Sequence, residues 1–242
     1  MRKNPNADKQ QLPDRGVQAI EFKQRDTLEH LVGRRVEFLT AYQNAAYARD
    51  YQAFVDKVRA AEAPLGKSML LTESVARYLF KLMAYKDEYE VARLHAETGF
   101  QAKVAAMFEG DFKVNFHLAP PMIARRNDKG ELQKMKFGPA MLTGFRLLAR
   151  LKGLRGTAFD VFGRTEERRT ERSLILQYRA SMEQVLASLD AGNHGLAVEI
   201  ARIPEQIKGF GHVKERNLAA ARVQWDRLML QWSRPEPSRQ AA

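Results

Sequence analysis

The chain has 242 residues, enough for one domain or two small ones around a sizeable core. Its apolar share of 45% and charged share of 29% are those of a soluble globular protein, and no apolar run approaches the ~20 residues of a membrane helix. The absence of cysteine excludes disulfides and cysteine-ligated zinc or iron–sulfur sites within this chain, while the net charge of +11 points toward nucleic acid, acidic lipid or an acidic partner.

The N-terminal segment is polar and carries prolines. It lacks an apolar h-region, so a signal peptide is not expected and a cytoplasmic protein is. Residues 1–26 are expected to be disordered, residues 27–233 to form a single α-rich domain, and residues 234–242 to be a disordered tail. Asp26 is the expected N-cap of the first helix, with Glu29 in capping-box position. Leu28, Leu31, Val32, Val36, Leu39 and Tyr42 keep helical spacing, and the stripe runs on through Tyr51, Phe54, Val55 and Val58 to about Ala63. Pro64-Leu65-Gly66 ends it. A second helix is predicted from Thr72-Glu73-Ser74 through Leu79, Met83, Tyr89 and Leu94 to His95, and a short one from Phe100 to Phe108.

The pattern then changes. In Phe112, Val114, Phe116 and Leu118 apolar residues alternate with polar ones, the period of a half-buried strand. Pro120-Pro121 stops pairing, Asn127-Asp128-Lys129-Gly130 is turn chemistry, and Gln133, Met135 and Phe137 return with Lys134 and Lys136 facing water. The expected fold is therefore mainly α: an antiparallel helical domain with one inserted β-hairpin at about 112–137.

Pro139 at N1 is expected to open the next helix, with Met141, Leu142, Phe145, Leu147, Leu148 and Leu151 as its apolar side and Arg146 and Arg150 opposite. Phe159 and Phe162 are expected to pin the loop that follows. Thr165 should cap a long helix to about Leu189, with Glu166–Arg169 and Arg168–Glu171 as charge pairs along it. A short helix stopping near Pro204 and a last helix from His212 to about Trp232 complete the chain.

From Met122 to Arg172 there are 13 Lys and Arg against 6 Asp and Glu, so +7 of the +11 lies in about a fifth of the chain. A solvated basic face, a docking surface for an acidic partner and a nucleic-acid surface are the three readings. The missing stacking aromatics and the absence of any helix-turn-helix, zinc-finger or RNP pattern speak against nucleic acid. The carboxylates of Lys86-Asp87-Glu88-Tyr89-Glu90 form either a solvated face or a half-buried network with that basic stretch.

Motifs for chemistry are sparse. Gly66-Lys67-Ser68 lacks the phosphate-loop glycine, since position 61 is Ala61, and Gly209-Phe210-Gly211 lacks a third glycine at Lys214. His30, His95, His117, His194 and His212 form no close ligand set. His117, with Arg125 or Arg126, is the remaining catalytic candidate, weighed against a partly exposed strand histidine.

Several strings point to a family: Leu79–Leu94, Gly110–Pro121 with Ala124-Arg125-Arg126 and Lys136-Phe137-Gly138-Pro139, Leu154-Arg155-Gly156-Thr157, Phe159-Asp160, Phe162-Gly163, Glu166–Arg172 and Pro204–Gly211, with Arg34–Gln43 ahead of them. Over about Leu28 to Trp232 the chain resembles the C-terminal domain of fused indolepyruvate ferredoxin oxidoreductases, members of the 2-oxoacid:ferredoxin oxidoreductase family. The resemblance implies a whole enzyme that oxidatively decarboxylates aryl 2-oxoacids with thiamine diphosphate, coenzyme A and iron–sulfur clusters, passing electrons to ferredoxin. In that family those parts lie in other domains, so no catalytic, cofactor-binding or metal-binding residue is carried over here. The resemblance implies an accessory domain or subunit whose partners are the catalytic chains. His117, Arg125, Arg126, Lys134, Lys136, Arg146 and Arg150 are the expected docking surface. The alternative is a stand-alone basic module for an acidic protein or nucleic acid, without a membrane role.

Overall fold

The fold is drawn from a computed structural model and described over residues 27–107, 113–118, 133–209 and 211–234. The expectations of disorder in residues 1–26 and in all but the first residue of the 234–242 tail, the Pro120-Pro121 stop, the Asn127–Gly130 turn, and Arg125 and Arg126 lie outside the described residues; Arg234 is described, its N–H donating to the Leu230 carbonyl at 3.1 Å. The architecture is mainly α, with one two-stranded antiparallel sheet. In chain order come α1 (Leu28–Tyr42), α2 (Ala45–Glu62), α3 (Leu70–Met83), α4 (Glu88–Ala96), α5 (Phe100–Ala105), β1 (Phe116–Leu118), β2 (Met135–Phe137), α6 (Met141–Arg150), α7 (Glu166–Ala187), α8 (His194–Arg202) and α9 (Gly211–Ser233).

Side-chain capping sets several of these boundaries. Thr27, not Asp26, caps α1, its hydroxyl accepting from the His30 N–H. The stripe that runs on past Tyr42 is two helices, because the Asn44 side chain accepts the Tyr47 N–H and starts α2 afresh. The long helix expected from Thr72 to His95 is also two. The Asp87 side chain accepts the Glu90 N–H and opens α4. Glu62, fully buried at the end of α2, starts α3 before Thr72: its carboxylate accepts the N–H groups of Leu71 and Thr72 and the Thr72 hydroxyl at 2.6–2.8 Å. His194, at the start of α8, holds the same carboxylate through Nε2 at 2.7 Å. Thr165 caps α7 as its sequence predicts. Pro139 sits in a turn just ahead of α6 and not at its first position.

Two apolar clusters result among the described residues. The larger joins α1, α2, α3, α7, α8 and α9, with Tyr42, Tyr51, Leu79, Tyr178 and Trp225 among its fully buried side chains. Trp225 donates to the Ser181 hydroxyl, and Tyr178 to the Ala201 carbonyl, so the ring polar groups buried there are satisfied. The smaller cluster forms around Ala92, Phe116, Phe145 and Ala149, with Val91, Phe100, Leu118 and Phe137 against it. The sheet pairs Phe116 with Phe137, His117 with Lys136 and Leu118 with Met135, so its aromatic side faces α4 and α6. Among the described residues Val114 lies outside β1 and Gln133 outside β2, while Phe112 lies outside the described residues.

Some expected core positions are exposed. Leu147 on α6 and Leu151 in the turn after it are exposed, and Val223 of α9 lies outside the ridge made by Leu218, Trp225 and Leu228. Two charges expected to pair with each other along α7, Arg168 and Glu171, reach other elements instead. Arg168 reaches Glu88, and Glu171 binds Lys214 of α9.

Candidate functional site

Where the two apolar clusters meet, the chain places a buried ionic junction. Arg155 follows a 3-10 turn at Leu151–Leu154 and precedes Gly156, whose φ of 77° lies in the left-handed region that glycine enters freely. The reversal drives the Arg155 side chain inward, where only 2% of it remains exposed. Its Nε and Nη2 donate to the Asp87 carboxylate at 2.6 and 2.9 Å, and Nη1 donates to the Tyr42 carbonyl at 2.7 Å. The guanidinium also lies 3.7 Å from the centroid of the Tyr42 ring. Asp87 thus serves twice, as the cap of α4 and as the counter-ion of Arg155.

The electrostatics follow the burial. Desolvation opposes the Arg155 charge, but the Asp87 hydrogen bonds and adjacent phenols hold its pKa above the ordinary guanidinium value. Burial, then the Asp87 charge, raises the hydroxyls of Tyr42 and Tyr85, so both stay protonated. The expectation that Asp87, Glu88 and Glu90 pair with the basic stretch holds for two of the three: Asp87 takes Arg155 and Glu88 takes Arg168, while Glu90 takes Arg93 on its own helix.

The loop beyond Arg155 is pinned by a carboxylate together with one of the two expected phenylalanines, Phe162. Phe159 is 77% exposed. Asp160 instead points in and accepts the Gly156 N–H at 2.8 Å, the Gly163 N–H at 2.9 Å and the Tyr89 hydroxyl at 3.3 Å. Phe162 does contribute, edge-on to Tyr89 at 5.4 Å. A Cβ at Gly163 would lie 2.6 Å from the Asp160 carboxyl carbon and 2.9 Å from Arg172 Nη1, so only glycine fits there. A polar pin wins because the loop's free N–H groups need an acceptor, which an aromatic ring does not supply.

Beside the junction opens a cleft of about 300 Å³, between the α1–α2 link, Tyr85, Arg155 and the outer face of α7. Arg172 and Arg179 of α7 line it with Tyr47, Gln43 and Leu176. Arg179 is paired with Asp50 at 2.7 Å, and Arg172 donates to the Gly163 carbonyl at 2.6 Å.

The docking residues read from sequence fall elsewhere. His117 and Lys136 are exposed cross-strand partners, and Lys134 is exposed just ahead of β2. Arg146 and Arg150 are exposed one turn apart on α6. Two cations of the basic stretch, Arg155 and Arg168, are internal, and Lys152 donates to the Ala41 carbonyl at 2.7 Å. Nothing in the sequence marked Arg155 or Asp160 as buried. Asp87, three residues ahead of Glu90 in capping-box spacing, was the one available signal.

Neither a curated protein nor a solved structure matches the chain. A family profile does, across residues 28–227, and its description is Family of unknown function (DUF6537). That match takes in every element from α1 to most of α9, including the Arg155 junction and the cleft beside it, so the chain belongs to the DUF6537 family.

Proposed function

We propose that the chain is an accessory domain or subunit of an indolepyruvate-type 2-oxoacid:ferredoxin oxidoreductase, working in the cytoplasm against the catalytic chains. In this reading thiamine diphosphate and the iron–sulfur clusters belong to those chains. This chain has no cysteine to offer a cluster, and we route no step through either cofactor.

The observation that supports the reading is that the strings carrying the resemblance touch one another. Arg155 of Leu154-Arg155-Gly156-Thr157 joins Tyr42 of the Arg34–Gln43 string to Asp87 of the Leu79–Leu94 string. Asp160 reaches Tyr89, and Lys81 donates to the carbonyls of Pro204 and Glu205 at 2.7 and 3.1 Å. The Arg155 junction and the Lys81 contact thus tie together residues more than a hundred positions apart, which fits a likeness of whole fold and not of a local motif. Their task there is structural, consistent with a domain that binds and braces catalytic parts held elsewhere. The exposed cations Lys134, Lys136, Arg146 and Arg150 are the proposed contact.

Co-expression with the catalytic chains of such an oxidoreductase from the same genome tests this. A stable complex is expected, weakened by K134E/K136E/R146E/R150E and by salt. A chain that sediments alone beside those partners overturns the reading. A gel shift that weakens steeply with salt would favour the basic nucleic-acid module instead.

A further inference from the structure

We propose that two copies of this chain associate about a two-fold axis, each seating its Phe159 loop in the groove between α7 and α9 of the other. The loop presents apolar side chains on a fixed backbone. Phe159 is 77% exposed and Val161 54%. Beneath them the Phe159 N–H donates to the Thr157 hydroxyl at 3.2 Å and the Asp160 N–H to the Thr157 carbonyl at 3.1 Å. The Asp160 carboxylate holds the N–H groups of Gly156 and Gly163 on either side. An aromatic carried by a loop already ordered loses little freedom on burial, which is the profile of an interface anchor. Two cations flank it. Arg164 donates to the Ala158 carbonyl at 3.2 Å, and Arg169 to the Arg164 carbonyl at 2.8 and 3.2 Å. Neither has a carboxylate within ion-pair distance among the described residues.

The groove has the opposite character. It holds about 470 Å³ between the first half of α7 and the first half of α9. Leu174 and Leu218 line it from the core side, with Ala219 exposed beside them. Glu166, Glu167 and Glu215 stand exposed around them. Lys214 is taken by Glu171, and Arg168 comes no nearer to Glu167 than 3.8 Å. Glu166 and Glu215 have no cation within ion-pair distance among the described residues. An apolar lining with an acidic rim is the complement of an aromatic ring flanked by arginines.

Both halves belong to one end of the molecule. The loop runs into the Thr165 cap, and the groove begins at Glu166, the next residue. The chain's own Phe159 does not fill its own groove, since most of the ring's surface is open. A two-fold axis at this end makes both contacts at once, the self-complementary patch that an isologous dimer needs. Lys134, Lys136, Arg146 and Arg150 take no part in it, so the dimer and the proposed contact with catalytic chains stand or fall separately.

Sedimentation equilibrium of the full chain, up to about 100 μM, tests this, since small interfaces associate weakly. A monomer–dimer equilibrium is expected. Phe159→Ser, which removes the anchor, and Ala219→Trp, which fills the groove, should each weaken it by about tenfold or more. Glu215→Lys should weaken it too, by setting a cation against Arg164 and Arg169. All three positions are exposed, so folding is not at stake. The deciding measurement mixes the Phe159→Ser chain with the Ala219→Trp chain. In the mixed dimer both changes fall in one half of the interface and the other half is intact. Association should therefore be tighter in the mixture than for either variant alone. A chain that stays monomeric throughout overturns the proposal. A dimer indifferent to Phe159→Ser and Ala219→Trp uses another face and overturns it as well. A mixture no tighter than its components rules out the reciprocal seating.

Discussion

Removing the Arg155 guanidinium leaves the Asp87 carboxylate buried with no cation beside it. Arg155→Met should therefore cost about 3–5 kcal/mol in urea-unfolding stability, the range for breaking one side of a buried pair. Asp87→Leu combined with Arg155→Met should recover much of that loss, because no charge is then stranded. A double variant as unstable as the sum of the two singles would show that the pair is not coupled. The Asp160 pin predicts a contrast within one loop. Gly163→Ala forces a methyl into the Asp160 carboxylate and should destabilise by about 1–3 kcal/mol, whereas Phe159→Ser, at a surface ring, should stay within about 0.5 kcal/mol. Thermal melts of the two variants side by side check the ordering.

At the level of elements, α3 depends on a residue outside it. Its first N–H groups are held by Glu62 of α2, which also holds His194 of α8, so three helices share one carboxylate. Glu62→Gln keeps the shape but sets an amide N–H₂ against donors. It should destabilise by about 1–3 kcal/mol, the cost of leaving a buried donor unmatched. Hydrogen exchange should localise the loss to the first turn of α3, and exchange that rises evenly along the chain would argue against this account. In the smaller cluster, His95 stacks on Phe145 at 5.0 Å, with Phe100 and Phe116 edge-on, and its Nδ1 has no hydrogen-bond partner. Burial, then Lys86, lowers its pKa, so on acidification the unfolded chain takes up this proton before the folded one does. Stability should fall as pH drops through the histidine range, and less so in His95→Phe.

For the molecule as a whole, the tyrosines give a collective signature. All seven have pKa values raised by burial, Tyr51 and Tyr89 to about 12. An unfolded phenol ionises near ~10, so the unfolded chain releases these protons first and stability declines as pH rises from ~10 toward 12. Absorbance at 295 nm should therefore show phenol ionisation shifted above 10 and steepened by unfolding. A simple titration centred on 10 with the fold intact would contradict the burial. The same scale decides what the net charge of +11 means. Arg155, Arg168 and Lys152 are consumed by internal contacts, so the basic stretch presents fewer cations to a partner than its composition implies.

The helical class, the strand pair set between α5 and α6, the Thr165 cap and the stop near Pro204 were legible in the residues, because periodicity, capping and proline act within a few positions. The same local reading ran α1 into α2 and α3 into α4, although Asn44 and Asp87 are ordinary cap residues, because an unbroken apolar stripe outweighed them. Arg155, Asp160 and Glu62 were not legible as buried groups. A lone arginine between glycines, an aspartate in a loop and a glutamate at a helix end all read as surface residues. Their burial depends on partners 68, 71 and 132 positions away, at Asp87, Tyr89 and His194. Periodicity and composition were enough to show which segments are helical and where the positive charge accumulates. Which charges turn inward depends on the folded contacts, since burying an ion is tolerated only where its counter-ion and hydrogen-bond partners are already in place.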